Sequence, residues 1–229
     1  MSYDAVLFDH DGVLVDVLSR TQLYERFSEQ SRNRLREVGV DPTGSVFETL
    51  YLSVSFEEVT ALASQFDTEP SRIWRIREDV IEQLLTAAVR NGEKEPYDDV
   101  EVVETLSRPT GIVSNNQTRI VEDVMSYHGI DSQFETVRAR DPRLSSLTRK
   151  KPEPTFITEA MNDLGVSNPL SVGDSESDVI AGQRADVDVA FVRREHNRTV
   201  ELSVTPTYEI ETLATLSSIV GSIDSSESR

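Results

Sequence analysis

The stretch LFDHDGVLVD, Leu7 to Asp16, sets an apolar run against two carboxylates two positions apart, Asp9 and Asp11. Other polar groups stand at or just after apolar runs elsewhere: Ser114 and Asn115 in GIVSNN, Lys151 in RKKPEP, and Asp174 with Asp178 in VGDSESD. If those runs are parallel strands, these residues lie at strand carboxyl ends, where open α/β sheets place their ligand crevice. Asp9, Asp174 and Asp178 brought together would repel one another, and a hard, oxygen-preferring cation such as Mg2+ relieves that repulsion. A cation beside a carboxylate, a hydroxyl and an ammonium suits a phosphate group. Ser114 and the backbone amides after it can hold phosphate oxygens at a helix N-terminus, and Lys151 can neutralise the charge that remains. Each piece has a plainer reading alone: a solvated strand end or turn for Asp9 and Asp11, a helix cap for Ser114, an N-cap with an exposed acid for Asp174 to Asp178. Their convergence from distant parts of the chain carries the argument.

The lysine is informative because the chain has only three, Lys94, Lys150 and Lys151, among 23 basic residues. Two adjacent compact ammonium groups, in a chain that otherwise uses Arg, suggest a place where a planar guanidinium does not fit. The KPEP context favours Lys151, with Lys150 as the alternative. His10, His128 and His196 are isolated in motif terms and are expected in surface or packing roles. Trp74 falls in an apolar helical stripe and reads as core. Arg20 and Thr21 read as an exposed helix start, with a substrate-facing role as the rival.

The elements that must position these groups are short apolar runs separated by helical patterns, the signature of buried parallel strands in βαβ units. The runs are Ala5 to Phe8, Gly111 to Ser114, Leu170 to Gly173 and Val189 to Val192, with Phe134 to Ala139 as a weaker candidate. Between the first two runs the pattern is helical. Leu23, Phe27 and Leu35 share a face before Gly39; Ser55 and Glu58 have capping-box spacing; and Ile73, Ile76, Val80, Leu84 and Val89 recur before Gly92. A βαβ crossover needs only a dozen or so residues plus its helix. Three helices there imply a separate small domain, so the expected division is 1–15 plus 97–229 for an α/β core and 16–96 for a helical insert. Segments around Asp98 to Leu106, Val121 to Ile130 and Glu153 to Val166 read as helices on the sheet, and Gly221 to Arg229 as a frayed polar tail.

The chain has 229 residues, enough for a sizeable core plus an appended unit. With 41 acidic against 23 basic residues the formal charge is -18, which argues against nucleic acid or anionic membrane as a partner. Distributed acid with few lysines resembles proteins of salt-accumulating microbes, whose charged surfaces stay hydrated when salt screens repulsion. There is no cysteine, which excludes disulfides, thiolate metal sites and a cysteine nucleophile. No apolar run approaches the roughly 20 residues that span a bilayer, and the N-terminus enters a strand directly, so a cytoplasmic location is expected. The default assembly is a monomer, with a dimer as the alternative.

These residues resemble the haloacid dehalogenase superfamily of Asp-nucleophile phosphohydrolases. The resemblance runs from FDHDGVLVD through GIVSNN and KKPEPTFITEAMNDLGV to SVGDSESDVIAGQRADVDVAFV, in order, and covers the whole core. The helical insert resembles the subgroup with a helical cap, which includes phosphoglycolate phosphatases and β-phosphoglucomutases. The resemblance implies a doubly wound, Rossmann-like parallel sheet with an inserted α-helical cap. It also implies that Asp9 attacks phosphorus and becomes an aspartyl phosphate, and that Asp11 acts as acid and then base while its carbonyl helps hold Mg2+. Ser114, Asn115, Lys151 and Gly12 would contact the phosphoryl group; Asp174 would ligate the metal, and Asp178 would ligate it or support its shell. A small phosphorylated metabolite is the implied partner. Presence of Asp11 argues against dehalogenation, no residues recognisably position a sugar phosphate for a mutase, and Lys94 at the insert's exit is a poor candidate for a phosphonatase lysine. A Mg2+-dependent phosphatase acting on a small organic monoester remains, with a phosphomutase or a non-catalytic phosphate-binding module as alternatives. The chain departs from the pattern at His10, often apolar in the family, at Pro96 to Val100 in place of a Pro-Gly turn, and at Asp186, where glycine is common.

Overall fold

The structure, a computed structural model, describes residues 2–51 and 54–220. The tail expected to fray, Gly221 to Arg229, lies outside the described residues.

The apolar runs become strands β1 (Val6–Phe8), β2 (Thr110–Gln117), β3 (Thr136–Arg140), β4 (Leu170–Gly173) and β5 (Asp188–Val192). A further strand, β6 (Tyr208–Ile210), has no apolar run to announce it. They form one six-stranded sheet in the order β3-β2-β1-β4-β5-β6. β1 pairs in parallel with both β2 and β4, and β5 with both β4 and β6. Helices cover both faces, so the central strands are buried on both sides and read as unbroken apolar runs. The chain proceeds from β1 to one side and from β4 to the other, which puts the switch point between them.

Helices α1 (Arg20–Glu37), α2 (Gly44–Tyr51), α3 (Phe56–Gln65) and α4 (Pro70–Arg90) precede β2; α5 (Thr118–Tyr127), α6 (Thr155–Leu164), α7 (Glu176–Arg184) and α8 (Leu216–Val220) follow it. Ser55 caps α3 as its spacing implies: the Glu58 N–H donates to Ser55 Oγ at 3.1 Å, and Ser55 Oγ donates to Glu58 at 2.9 Å. α6 buries Phe156, Ile157 and Ala160 against Leu7 and Val113, and each large apolar side chain so buried contributes about 1.5–3 kcal/mol. α6 stops at Gly165, whose φ of 66° suits glycine at a helix end. The segment Asp98–Thr105, expected as α-helix, is 3-10 helix. Asp186 takes a φ of 59°, so it adopts the left-handed turn that glycine would otherwise supply.

The chain divides into two compact units, 1–17 with 95–139 and 150–229, and 18–94 with 140–149. Two features differ from the sequence expectation. Four helices, not three, precede β2 among the described residues, because α2 has no cap or long periodicity to signal it. Residues 140–149, placed with the α/β core by sequence, belong to the helical unit. The reason is a buried anchor. Arg140 pairs with Glu78 at 3.2 Å, both nearly inaccessible, and Trp74 Nε1 donates to the Pro142 carbonyl at 2.9 Å. Trp74 is itself core, as its stripe implied, and carries the Arg140 and Arg77 guanidinium groups 5.3 and 5.2 Å from its ring. Among the described residues no helix is long and apolar enough to cross a membrane.

Candidate active site

β1 delivers Asp9 to the sheet's carboxyl edge, where its N–H donates to the Val172 carbonyl of β4 at 2.8 Å. The Asp9 side chain is thus fixed at the switch point. Its Oδ1 accepts the His10 N–H at 2.7 Å and pairs with Lys151 Nζ at 2.9 Å. Lys151 is the lysine whose ammonium enters the cluster. It also pairs with Asp178 Oδ1 at 2.5 Å and donates to the Val113 carbonyl at 2.9 Å, with its side chain only 3% exposed.

Asp178 stands in the first turn of α7 and completes a reciprocal capping box: its Oδ2 accepts Ser175 N–H at 3.0 Å and Ser175 Oγ at 2.6 Å. Both of its oxygens therefore have protein partners, a supporting position more than an open one. Gly173 must be small for this, since a Cβ there would lie 2.2 Å from the Asp178 Cβ. Asp174, one residue on from β4, is gripped by the loop after β5. Asn197 Nδ2 donates to the Asp174 carbonyl at 2.8 Å, and His196 Nε2 lies 2.6 Å from Asp174 Oδ2. Arg194 anchors that loop by pairing with Asp99 at 2.8 Å and donating to the Val13 carbonyl at 3.0 Å.

Asp9, Asp174 and Asp178 each offer an oxygen within 4.8 Å of the others. Burial pushes the Asp9 carboxyl well up from its ordinary range, with Asp178 and Asp174 adding to the rise and Lys151 opposing it. Burial likewise raises Asp174, against the pull of His196. Burial disfavours the Lys151 ammonium, but Asp178 and Asp9 outweigh it and raise its pKa. Three carboxylates clustered beside a single ammonium, which pairs with two of them, suit a hard divalent cation, and so does the all-oxygen donor set. The residues present thus fit Mg2+.

Two residues of the expected phosphate-binding set also have partners within the protein. Gly12 uses its N–H inside the turn, donating to the Val15 carbonyl at 2.8 Å. Glycine is required there: φ is 80°, and a Cβ would meet Asp174 Oδ2 at 2.1 Å. Asn115 is the second. Its Nδ2 donates to the Lys151 carbonyl at 3.0 Å and its Oδ1 accepts the Lys151 N–H at 2.7 Å, so its side chain fastens the lysine loop. Ser114 stays buried at the carboxyl half of β2, its Oγ accepting the Asn116 N–H at 3.2 Å.

Two residues escaped the sequence reading. Asn116 Nδ2 donates to Asp11 Oδ2 at 3.0 Å. Strand alternation is the signal that finds it, because Ser114 and Asn116, two apart on β2, share a face that Asn115 does not. His196, expected in a surface or packing role, touches Asp174 instead; nothing in its local sequence distinguishes it from His10 or His128. His10 is a fully buried side chain with Nδ1 3.4 Å from Asp11 Oδ2. Arg20 and Thr21 are exposed at the start of α1.

The profile of the haloacid dehalogenase-like hydrolases matches residues 6–192, most of the chain. Pyrophosphatase PpaX of Oceanobacillus iheyensis is 29% identical over 226 residues, covering 96% of this chain and 98% of that protein. A phosphoglycolate phosphatase of Photobacterium profundum is 23% identical over 202 residues, 84% of each chain. Among solved structures, CbbY from Rhodobacter sphaeroides superposes with a TM-score of 0.67 at 17% identity, covering 93% of this chain and 96% of that one. A structure described as a putative phosphoglycolate phosphatase from Lactobacillus plantarum gives 0.65 at 20% identity, over 96% and 100%. With the profile spanning every strand from β1 to β5 and the motif residues gathered at one sheet edge, the chain belongs to the haloacid dehalogenase-like hydrolase family, among its phosphatase-like members.

Proposed function

We propose that the protein is a Mg2+-dependent phosphatase that hydrolyses a small organic phosphate monoester through an aspartyl phosphate on Asp9. The observation that carries this reading is the Asp9, Asp174, Asp178 and Lys151 cluster, three carboxylates and an ammonium gathered at the sheet's switch point. Asp9, Asp174 and the Asp11 carbonyl would hold the cation, and Asp178 supports the set by fixing Lys151. The bound cation offsets the negative charge that gathers on the phosphoryl oxygens.

In the first half-reaction an Asp9 carboxylate oxygen forms a bond to phosphorus as the ester P–O bond breaks. The departing oxygen keeps the bonding pair and takes a proton from Asp11. In the second, Asp11 takes a proton from water, the water oxygen bonds to phosphorus, and the Asp9–phosphorus bond breaks with its electrons returning to the carboxylate. Lys151 and Ser114 hold the phosphoryl oxygens in both steps. The helical unit acts as the cap that selects the ester, by its resemblance to that subgroup. The partner would be a small phosphorylated metabolite bound at the cation, and the formal charge of -18 speaks against nucleic acid or an anionic membrane; a monomer, or else a dimer, in the cytoplasm is the expected setting.

The test is phosphate release from p-nitrophenyl phosphate at high salt. Wild type should turn over with Mg2+ and stop in EDTA, while Asp9→Asn should be inactive and should not acquire an acid-stable, hydroxylamine-labile phosphate. Equal rates for wild type and Asp9→Asn would sink the proposal. One observation favours a second substrate: the full-length match to a protein named a pyrophosphatase. A panel containing pyrophosphate beside phosphoglycolate and sugar phosphates separates the two by kcat/KM.

A further inference from the structure

Asp11 leaves the end of β1 on a short loop and its side chain is 34% exposed, with His10 Nδ1 3.4 Å from its Oδ2. An acid that must meet two different oxygens in succession needs one orientation, and Asn116 is placed to fix it. Asn116 Nδ2 donates to Asp11 Oδ2 at 3.0 Å, Asn116 Oδ1 accepts the Gln117 N–H at 2.9 Å, and the Asn116 N–H donates to Ser114 Oγ at 3.2 Å. The amide cannot be flipped without setting its oxygen against a carboxylate and its NH2 against an N–H. Its direction is therefore determined, with Oδ1 held by the β2 backbone at Gln117 and Nδ2 left facing Asp11.

We propose that Asn116 is a positioning residue for general acid–base catalysis, holding Asp11 by Oδ2 in the orientation from which it exchanges its proton. This rests on the assignment of Asp11 as the acid. A neutral amide is the donor such a role calls for. It can donate to Oδ2 whether that oxygen belongs to a carboxylate or is the carbonyl oxygen of the protonated acid, so it orients Asp11 in both half-reactions. A guanidinium or ammonium in its place would hold Asp11 ionised and oppose the protonated form that the first step requires. Asn116 itself neither gives nor takes a proton.

The test compares two aryl esters by kcat/KM, which reports the first phosphoryl transfer. p-Nitrophenolate leaves readily without a proton, whereas phenolate, a far stronger base, depends on the acid. Asn116→Ala should lose about tenfold or more in kcat/KM on phenyl phosphate relative to its loss on p-nitrophenyl phosphate. Asn116→Leu keeps roughly the size and adds no charge but lacks the Nδ2 donor, and should show the same selective loss if the alanine variant does not fold. Equal losses on both esters, or none on either, overturn the proposal, because a structural or phosphate-holding role has no leaving-group preference. Asp11→Asn is the control. If it too lacks the preference, Asp11 is not the acid and the underlying mechanism fails; if it has the preference and neither Asn116 variant does, only the role of Asn116 fails.

Discussion

Replacing Lys151 by Met keeps the length of the side chain and deletes the ammonium that Asp9 and Asp178 share at 2.9 and 2.5 Å. With that ammonium gone, Asp9, Asp174 and Asp178 are left together in a site where Lys151 and Asp178 are 3% and 2% exposed. Removing one partner of a buried ion pair costs about 3–5 kcal/mol, because the remaining charge stays desolvated. For a chain of this length each kcal/mol moves Tm by about 2–4 °C, so the expected drop in EDTA is about 6–20 °C. Circular dichroism is the better probe, since Trp74, the chain's single tryptophan, lies in the helical unit and reports there first. Saturating Mg2+ should recover part of the loss by supplying positive charge to the same carboxylates. Lys151→Met/Asp178→Asn should be more stable than the sum of the two single losses predicts, by more than about 1 kcal/mol, since the second change removes a charge that the first stranded. A Lys151→Met melt within about 2 °C of wild type in EDTA, or additive losses in the double variant, would refute the charge argument. Activity should fall by about 10²–10³, as for loss of one oxyanion donor.

Three other outcomes follow from the same geometry. Burial tends to raise Asp99, but Arg194, the Leu213 N–H and the Thr212 hydroxyl overcome it and hold the group below its ordinary 3.8. A depressed folded pKa stabilises above the unfolded value and is lost as pH falls through the folded one, so the urea-stability gap between wild type and Asp99→Asn should be full at pH 7 and close below about pH 4; a gap that widens at pH 3 contradicts the assignment. Gly12→Ala puts a Cβ 2.1 Å from Asp174 Oδ2 at a φ of 80°, and should cost at least about 1–2 kcal/mol along with most of the activity, read from a urea titration and a phosphate-release assay. His196→Ala frees an oxygen of Asp174 from the contact at 2.6 Å and should weaken Mn2+ binding by about 10–100-fold, measured by electron paramagnetic resonance without substrate; unchanged affinity would make that contact incidental.

The parts of the site legible in the sequence are those set by strand ends. Continuous apolar runs fix where β1 and β4 stop, and hence where Asp9 and Asp174 must sit, whereas β2 runs on to Gln117 and holds Ser114 within the strand. β6 escaped notice because its Tyr208 and Glu209 are not buried and only Ile210 is, so three residues at a sheet edge carry no apolar run. α2, eight residues with glycine first, has neither cap nor length to stand out. The division of labour between Asn115 and Asn116 was within reach, since alternation along β2 separates them. The contact between His196 and Asp174 was not, because it depends on how the loop after β5 folds back, held by Arg194 on Asp99 and Asn197 on Asp174.

The membership of residues 140–149 in the helical unit bears on how the protein can be taken apart. The chain passes between its two units four times, after residues 17, 94, 139 and 149, and not twice as a simple insert would. A graft that exchanges only 18–94 for the same region of a relative would leave Arg140 buried without Glu78, and Pro142 without the Trp74 indole. The transferable piece is therefore discontinuous. Its second half ends one residue before Lys150, so any chimera that imports it must splice directly into the loop that carries the Lys151 ammonium.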